Sequence, residues 1–187
     1  MGNDRLVDIK ITLDGTDPAI WRLIRLDPYF TLNEVHHIIQ IAMGWKNTHL
    51  YSFNIEDIEY TLPDYRNEVI RYADSNKYRL SDFLEYEFKY LYDFGDHWMH
   101  TVSIFNTGIE DVITHPFCFE GEGACPPEDV GGMSGFKDFK ESMDSPNHPD
   151  RESNIIWYGK EFDPYELNLR YINYQYKELD EYIESVD

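Results

Sequence analysis

The side chains best equipped for chemistry lie in one stretch, YLYDFGDHWMHTVSIFNTGIEDVITHPFCFEGEGACPPEDVGG, residues 90–132. Asp93, Asp96, His97 and His100 crowd around a Gly-containing reversal. Two carboxylates and an imidazole are enough for an open divalent-metal site, so Asp93, Asp96 and His100 are candidate ligands and candidate catalytic groups. The same aspartates are the residues a tight turn uses to cap its own amides, and turn chemistry alone accounts for both. Asp93-Phe94-Gly95 matches the magnesium-binding tripeptide of protein kinases. No upstream Gly-rich loop with a strand lysine and no His-Arg-Asp loop accompany it, which removes that reading.

Cys118 and Cys125 have six residues between them, with His115 three residues before the first. They are a second candidate metal pair, although zinc sites favour close Cys-x-x-Cys knuckles that this chain lacks. A Cys118–Cys125 disulfide is compatible with the spacing, but a reducing compartment disfavours it, and two reduced thiols are the simplest reading. A nucleophilic cysteine with His115 as base needs a lowered thiol pKa, whereas nearby carboxylates raise it. Glu128 and Asp129 lie between Pro126-Pro127 and Gly131-Gly132, a turn whose prolines fix the backbone and whose glycines admit positive φ. These two carboxylates either face a ligand, one of them as a general base, or cap amides. No Lys-Ser/Thr follows the glycines, so this is not a phosphate loop.

The surrounding chain supplies the elements that must position these groups. Val7, Ile9, Ile11 and Leu13 alternate with polar residues, as do the residues from Ile20 to Leu26, which predicts a strand hairpin. Thr31 and Glu34 make a capping box for a helix carrying Leu32, Val35, Ile38, Ile39 and Ala42, with Gly44 as its C-terminal cap. His37 is expected to point away from that apolar stripe and His36 to lie at its rim. Residues 49–55 read as a strand, residues 63–64 as a turn, residues 69–72 as a short strand and residues 80–84 as a helical turn. Strands over 88–92 and 99–105 flank the Asp93–Asp96 turn as a hairpin. Residues 106–135 have little periodicity and read as a long loop of the functional kind. A helix capped by Ser134, a short helical piece at 154–158, a helix start at Asp163-Pro164 and one last amphipathic helix from Ile172 to Val186 complete the pattern. Strands dominate the first half and helices the second, the mark of an α+β domain spanning residues 1–187 as a single unit.

Composition narrows the partners. The formal net charge is −20, of which −15 falls on residues 90–187, so direct nucleic-acid binding is disfavoured and a basic protein or a cation is attracted. The bland alternative is a well-solvated acidic surface. No apolar run reaches membrane-spanning length and the opening MGNDRLVDIK has no apolar signal core, so a cytoplasmic protein without membrane association is expected. The oligomeric state is not legible.

The segments IWRLIRL, TLNEVHHIIQIAMGWKNTHLYSF, YLYDFGDHWMHTVSI, GEGACPPEDVGG, GFKDFKESMDSPNHPD and EFDPYEL together resemble the plasmid Ri (pRiA4b) open-reading-frame-three-like family, whose members also carry a TnpR-like label as passengers of insertion elements. The resemblance runs in one order from about Val7 to Ile172. It implies a compact α+β fold, an antiparallel, roll-like sheet packed against helices, and a mobile-element context. It also implies that His97 is replaceable, because relatives carry Gly at that position. The resolvase label finds no support in the residues, since neither a nucleophilic serine with an arginine cluster nor a basic DNA-binding module is present. Two functions follow as expectations. The first is an acidic binding module that engages a protein or a cation. The second is a metal-dependent hydrolase on Asp93, Asp96 and His100 with Glu128 or Asp129 as base, its cofactor a divalent metal.

Overall fold

The computed structural model describes residues 5–63, 72–110 and 113–186. Alternation in the sequence becomes pleat. β1 (Arg5–Leu13) and β2 (Ile20–Leu26) pair antiparallel with Ile9 opposite Ile24, and each strand sends every second residue to one buried face. β3 (Tyr51–Ile55), β4 (Ile58–Thr61), β5 (Tyr72–Asp74), β6 (Phe88–Tyr92), β7 (Trp98–Glu110) and β8 (Phe117–Glu122) extend the sheet. The strand order is β5-β4-β3-β6-β7-β1-β2-β8, antiparallel at every junction except β4–β5. This is an open, mostly antiparallel sheet in an α+β domain, as the alternation and the element order predict.

α1 (Leu32–Met43) lies on the buried face. Its capping box is formed in full: the Glu34 amide donates to Thr31 Oγ1, and the Thr31 amide donates to Glu34 Oε2 at 2.6 Å. Gly44 closes it in the left-handed conformation at φ 81°. The expectation for its two histidines is corrected. Both are buried, because α1 is covered by the sheet on one side and by α4 (Leu169–Tyr176) and α5 (Leu179–Val186) on the other. His36 stacks on Tyr51 at 3.6 Å, and its ring nitrogens meet Tyr90 Oη at 2.7 Å and Asn47 Oδ1 at 2.6 Å. His37 lies edge-on to Tyr182.

Further differences have local causes. β7 continues to Glu110, and β8 pairs with β2 inside the stretch read as loop. β8 hides from periodicity because only Cys118 among its residues is fully buried, and its register against β2 shifts between Leu23 and Ile24. α2 (Gly132–Asp144) starts before Ser134, with Gly131 as its left-handed N-cap. α3 is Arg151–Tyr158. Asp163-Pro164 forms a turn in which Asp163 Oδ1 accepts from the Tyr165 amide, and α4 starts instead at Leu169, capped by Asn168, whose side chain accepts from the Tyr171 amide. The last helix is two, α4 and α5, separated at 177–178. The strand read at 69–72 and the turn at 63–64 fall mostly outside the described residues; β5 begins at Tyr72.

Candidate functional site

Three segments meet at one end of the sheet: residues 44–50 between α1 and β3, the turn 93–97 between β6 and β7, and the Pro/Gly turn 126–132 before α2. Hydrogen bonds join them pairwise. Glu128 Oε1 accepts from Tyr92 Oη at 2.5 Å, from the Lys46 amide at 3.1 Å and from Thr48 Oγ1 at 3.4 Å. Burial, reinforced by the Glu128 carboxylate, holds the Tyr92 phenol far above its ordinary pKa, so it stays a donor. Asp96 Oδ2 accepts from the Gly131 amide at 3.1 Å, and Trp45 Nε1 donates to Pro126 O at 2.9 Å. The approach is so close that a Cβ at Gly132 would stand 2.7 Å from Asp96 O, and Gly132 sits at φ 67°.

Asp93 is placed by the turn itself. Its amide donates to Leu50 O at 2.9 Å, and its Oδ1 accepts from Gly95 N at 2.8 Å and Asp96 N at 3.3 Å. Asp93 (φ 53°), His97 (φ 60°) and Asp129 (φ 59°) all adopt the left-handed conformation, a cluster of strained backbone at one spot. For His97 this is the geometry glycine takes without cost.

What the latches leave over is a triad. His49 Nε2 lies 3.1 Å from Asp129 Oδ1 and 3.6 Å from Asp93 Oδ2, and one ligand atom from each residue lies within 4.8 Å of the others. The Asp93 side chain is 10% exposed, that of His49 29% and that of Asp129 71%, so the group opens to solvent on the Asp129 side. His49 Nε2 is shielded from water, and neither carboxylate lies in line with a ring N–H, so no hydrogen bond satisfies it. Among the described residues this is the place where three His, Cys, Asp or Glu side chains could share an ion.

The sequence candidates separate accordingly. Asp93 and Asp129 come together. Asp96 and Glu128 stand beside them, but their carboxylates are taken by the latches, Glu128 by three donors. His100 is not brought to them. It is fully buried on the core face of β7, edge-on to Trp45, with Nδ1 3.3 Å from Tyr90 O, and burial lowers its pKa to about 4. Cys118 and Cys125 are free thiols, not a disulfide. Burial pushes Cys118 up to about 11 and also raises Cys125, against the pull of Arg22. His115 turns its Nδ1 to Pro116 O. Neither thiol is near-neutral in reactivity. The residue that sequence reasoning overlooked is His49; its place two residues before β3 carries no signal beyond its type.

Comparison with known proteins fits this architecture. A sequence profile described as plasmid pRiA4b ORF-3-like protein matches residues 5–171. The chain belongs to the plasmid pRiA4b ORF-3-like family. A relative within reach of this family member is the uncharacterized protein y4hQ of Sinorhizobium fredii, 34% identical over 172 residues, covering 90% of this chain and 89% of that protein. A solved structure, the protein of unknown function MM3350 from Methanosarcina mazei Go1, superposes with a TM-score of 0.79 at 27% identity, over 89% of this chain and 96% of that one. The pRiA4b ORF-3-like fold therefore carries the site end of the sheet within the matched span, since His49, Asp93 and Asp129 all fall between residues 5 and 171. Among the described residues no helix is long and apolar enough to cross a membrane.

Proposed function

We propose that this protein is a binding module that docks a basic segment of a partner protein in the groove between α2 and α3. The observation that carries the reading is the lining of that groove. Asp129, Asp138, Glu141 and Asp150 line a depression of about 560 Å³, and among the described residues no Lys or Arg does. Trp157, half exposed, forms its apolar wall together with Phe139. α3 buries none of its residues, and Ile156 beside Trp157 is 74% exposed. His148 in the lining stands 3.9 Å from Asp150, and Lys137 stands 3.8 Å from Glu141, yet carboxylates outnumber cations around this apolar anchor, which suits a partner that pairs Arg or Lys with aliphatic side chains. A second copy of this chain is a poor occupant because both copies carry −20, and a nucleic acid is repelled by the same field. In a plasmid-derived family, a basic DNA-handling protein is one class of partner with this chemistry.

The test is a fluorescence titration of the full chain with a synthetic peptide alternating Arg and Leu. Saturable change in Trp emission that weakens as salt is raised is expected. The double variant Asp138→Asn/Glu141→Gln should bind about tenfold or more weakly, since each lost charge contact is worth on the order of 1 kcal/mol. Equal binding by the double variant, or by a peptide alternating Glu and Leu, would overturn the reading.

A further inference from the structure

We infer that His49, Asp93 and Asp129 form a binding site for a divalent transition ion of the zinc or manganese type. The distances come first. Donors on a tetrahedral ion with bonds of about 2.1 Å stand about 3.4 Å apart. The two His49 distances, 3.1 and 3.6 Å, bracket that value, and the remaining pair lies within 4.8 Å, a gap that two carboxylates sharing a cation would close.

The second observation is what these atoms lack. His49 Nε2 is shut off from water and makes no hydrogen bond of good geometry, its neighbours being the Asp129 and Asp93 oxygens at 3.1 and 3.6 Å, an arrangement that a cation bound between the three would satisfy. It lies within 3.6 Å of both carboxylates. Asp93 is nine-tenths buried, and while its Oδ1 is held by two turn amides, its Oδ2 lies 3.6 Å from His49 Nε2. The two carboxylates lie within 4.8 Å of each other, and a cation between them would bind both.

The chemistry of the donors selects the ion. One imidazole and two carboxylates suit zinc or manganese better than magnesium or calcium, which prefer oxygen alone. Copper(I) would want sulfur, and both thiols are elsewhere. The ligands come from three segments, 44–50, 93–97 and 126–132, and the Glu128, Asp96 and Trp45 bonds that join those segments would preorganise the site. Three protein ligands on an ion leave coordination positions open, and the exposed Asp129 side is where a water or an exogenous donor would enter. The inference stands apart from the docking reading: the groove shares Asp129 but uses neither His49 nor Asp93.

The experiment is isothermal titration of the chelator-stripped full chain with zinc chloride, manganese chloride and magnesium chloride, with thermal melts in parallel. One zinc ion per chain, a melt raised by zinc, and much weaker magnesium binding are expected. His49→Ala should weaken zinc about tenfold or more, as should Asp93→Asn, which keeps the turn cap and tolerates left-handed φ. Asp138→Asn/Glu141→Gln, which tests the groove, should leave zinc binding unchanged. Absence of saturable zinc and manganese binding would overturn the inference. Unchanged zinc affinity in folded His49→Ala, or magnesium binding as tight as zinc, would overturn it as well.

Discussion

Arg22 offers a sharp test of how the site end of the sheet is held together. It is 2% exposed, yet all five guanidinium N–H groups have acceptors and none of these is a carboxylate. Nε donates to Ala42 O at 2.9 Å, Nη1 to Trp21 O at 2.8 Å and Glu122 O at 2.9 Å, and Nη2 to Gly123 O at 2.9 Å and Cys125 Sγ at 3.3 Å. One side chain thus caps the negative end of α1 and pins residues 122–125, which lead directly into the turn that carries Asp129. Arg22→Met keeps the aliphatic stem and removes the fork. Each carbonyl left without a donor costs about 1–3 kcal/mol, and the variant recovers several kcal/mol by no longer burying a charge. The net loss expected is about 3–5 kcal/mol, or about 6–20 °C of melting temperature for a domain of this size. Arg22→Lys retains the charge but offers three donors in place of a five-donor fork, so it should fall between wild type and Arg22→Met. Urea denaturation with the slope checked for constancy measures all three. A loss below about 1 kcal/mol in Arg22→Met would refute the reasoning, and so would Arg22→Lys matching wild type, since charge alone would then suffice.

Two further outcomes follow from the same geometry. His100 has a folded pKa of about 4 against about 6.5 unfolded, so its contribution is complete above about pH 6.5 and is lost as pH falls toward 4, where the unfolded chain takes up a proton the core refuses. His36, also held well below its ordinary value by burial, acts in the same direction. Measured as the difference from His100→Leu between pH 6 and 5, wild type should lose about 1.4 kcal/mol more per pH unit, and parallel acid limbs would contradict a buried neutral His100. His97→Gly should leave stability unchanged or raise it by up to about 1 kcal/mol, because φ 60° is strained for histidine and free for glycine; a loss above about 1 kcal/mol would mean the imidazole makes contacts that outweigh the strain.

Much of the fold is legible in the sequence where burial has one side. β1 and β2 present a clean alternation because their outer face meets solvent, and α1 announces both ends through Thr31, Glu34 and Gly44. The same rule misplaces His36 and His37. Helical periodicity identifies the face toward the sheet, but α4 and α5 return from more than a hundred residues later to cover the other face, and Tyr176 Oη even reaches Ile38 O at 2.9 Å. β8 fails differently: it is an edge strand holding a single fully buried side chain, so it has almost no pattern to read.

The site divides along a similar line. Sequence reasoning located the two carboxylate segments because turns announce themselves through Asp, Gly and Pro, and the structure does bring those segments together. It could not divide the work among their carboxylates. Within each segment one acid is spent on the scaffold and one is left over: Asp96 holds Gly131 while Asp93 turns an oxygen outward from its cap, and Glu128 holds Lys46, Thr48 and Tyr92 while Asp129 faces His49. Adjacent acids in a turn point in different directions, and which one faces the third segment is decided by backbone torsion. Asp93 and Asp129 both sit at left-handed φ, whereas the two latching acids do not. The third partner, His49, is held between Lys46 and Thr48, which Glu128 fastens, and Leu50, whose carbonyl accepts from the Asp93 amide, so the acids that look like ligands in the sequence are in part the reason a histidine is there at all.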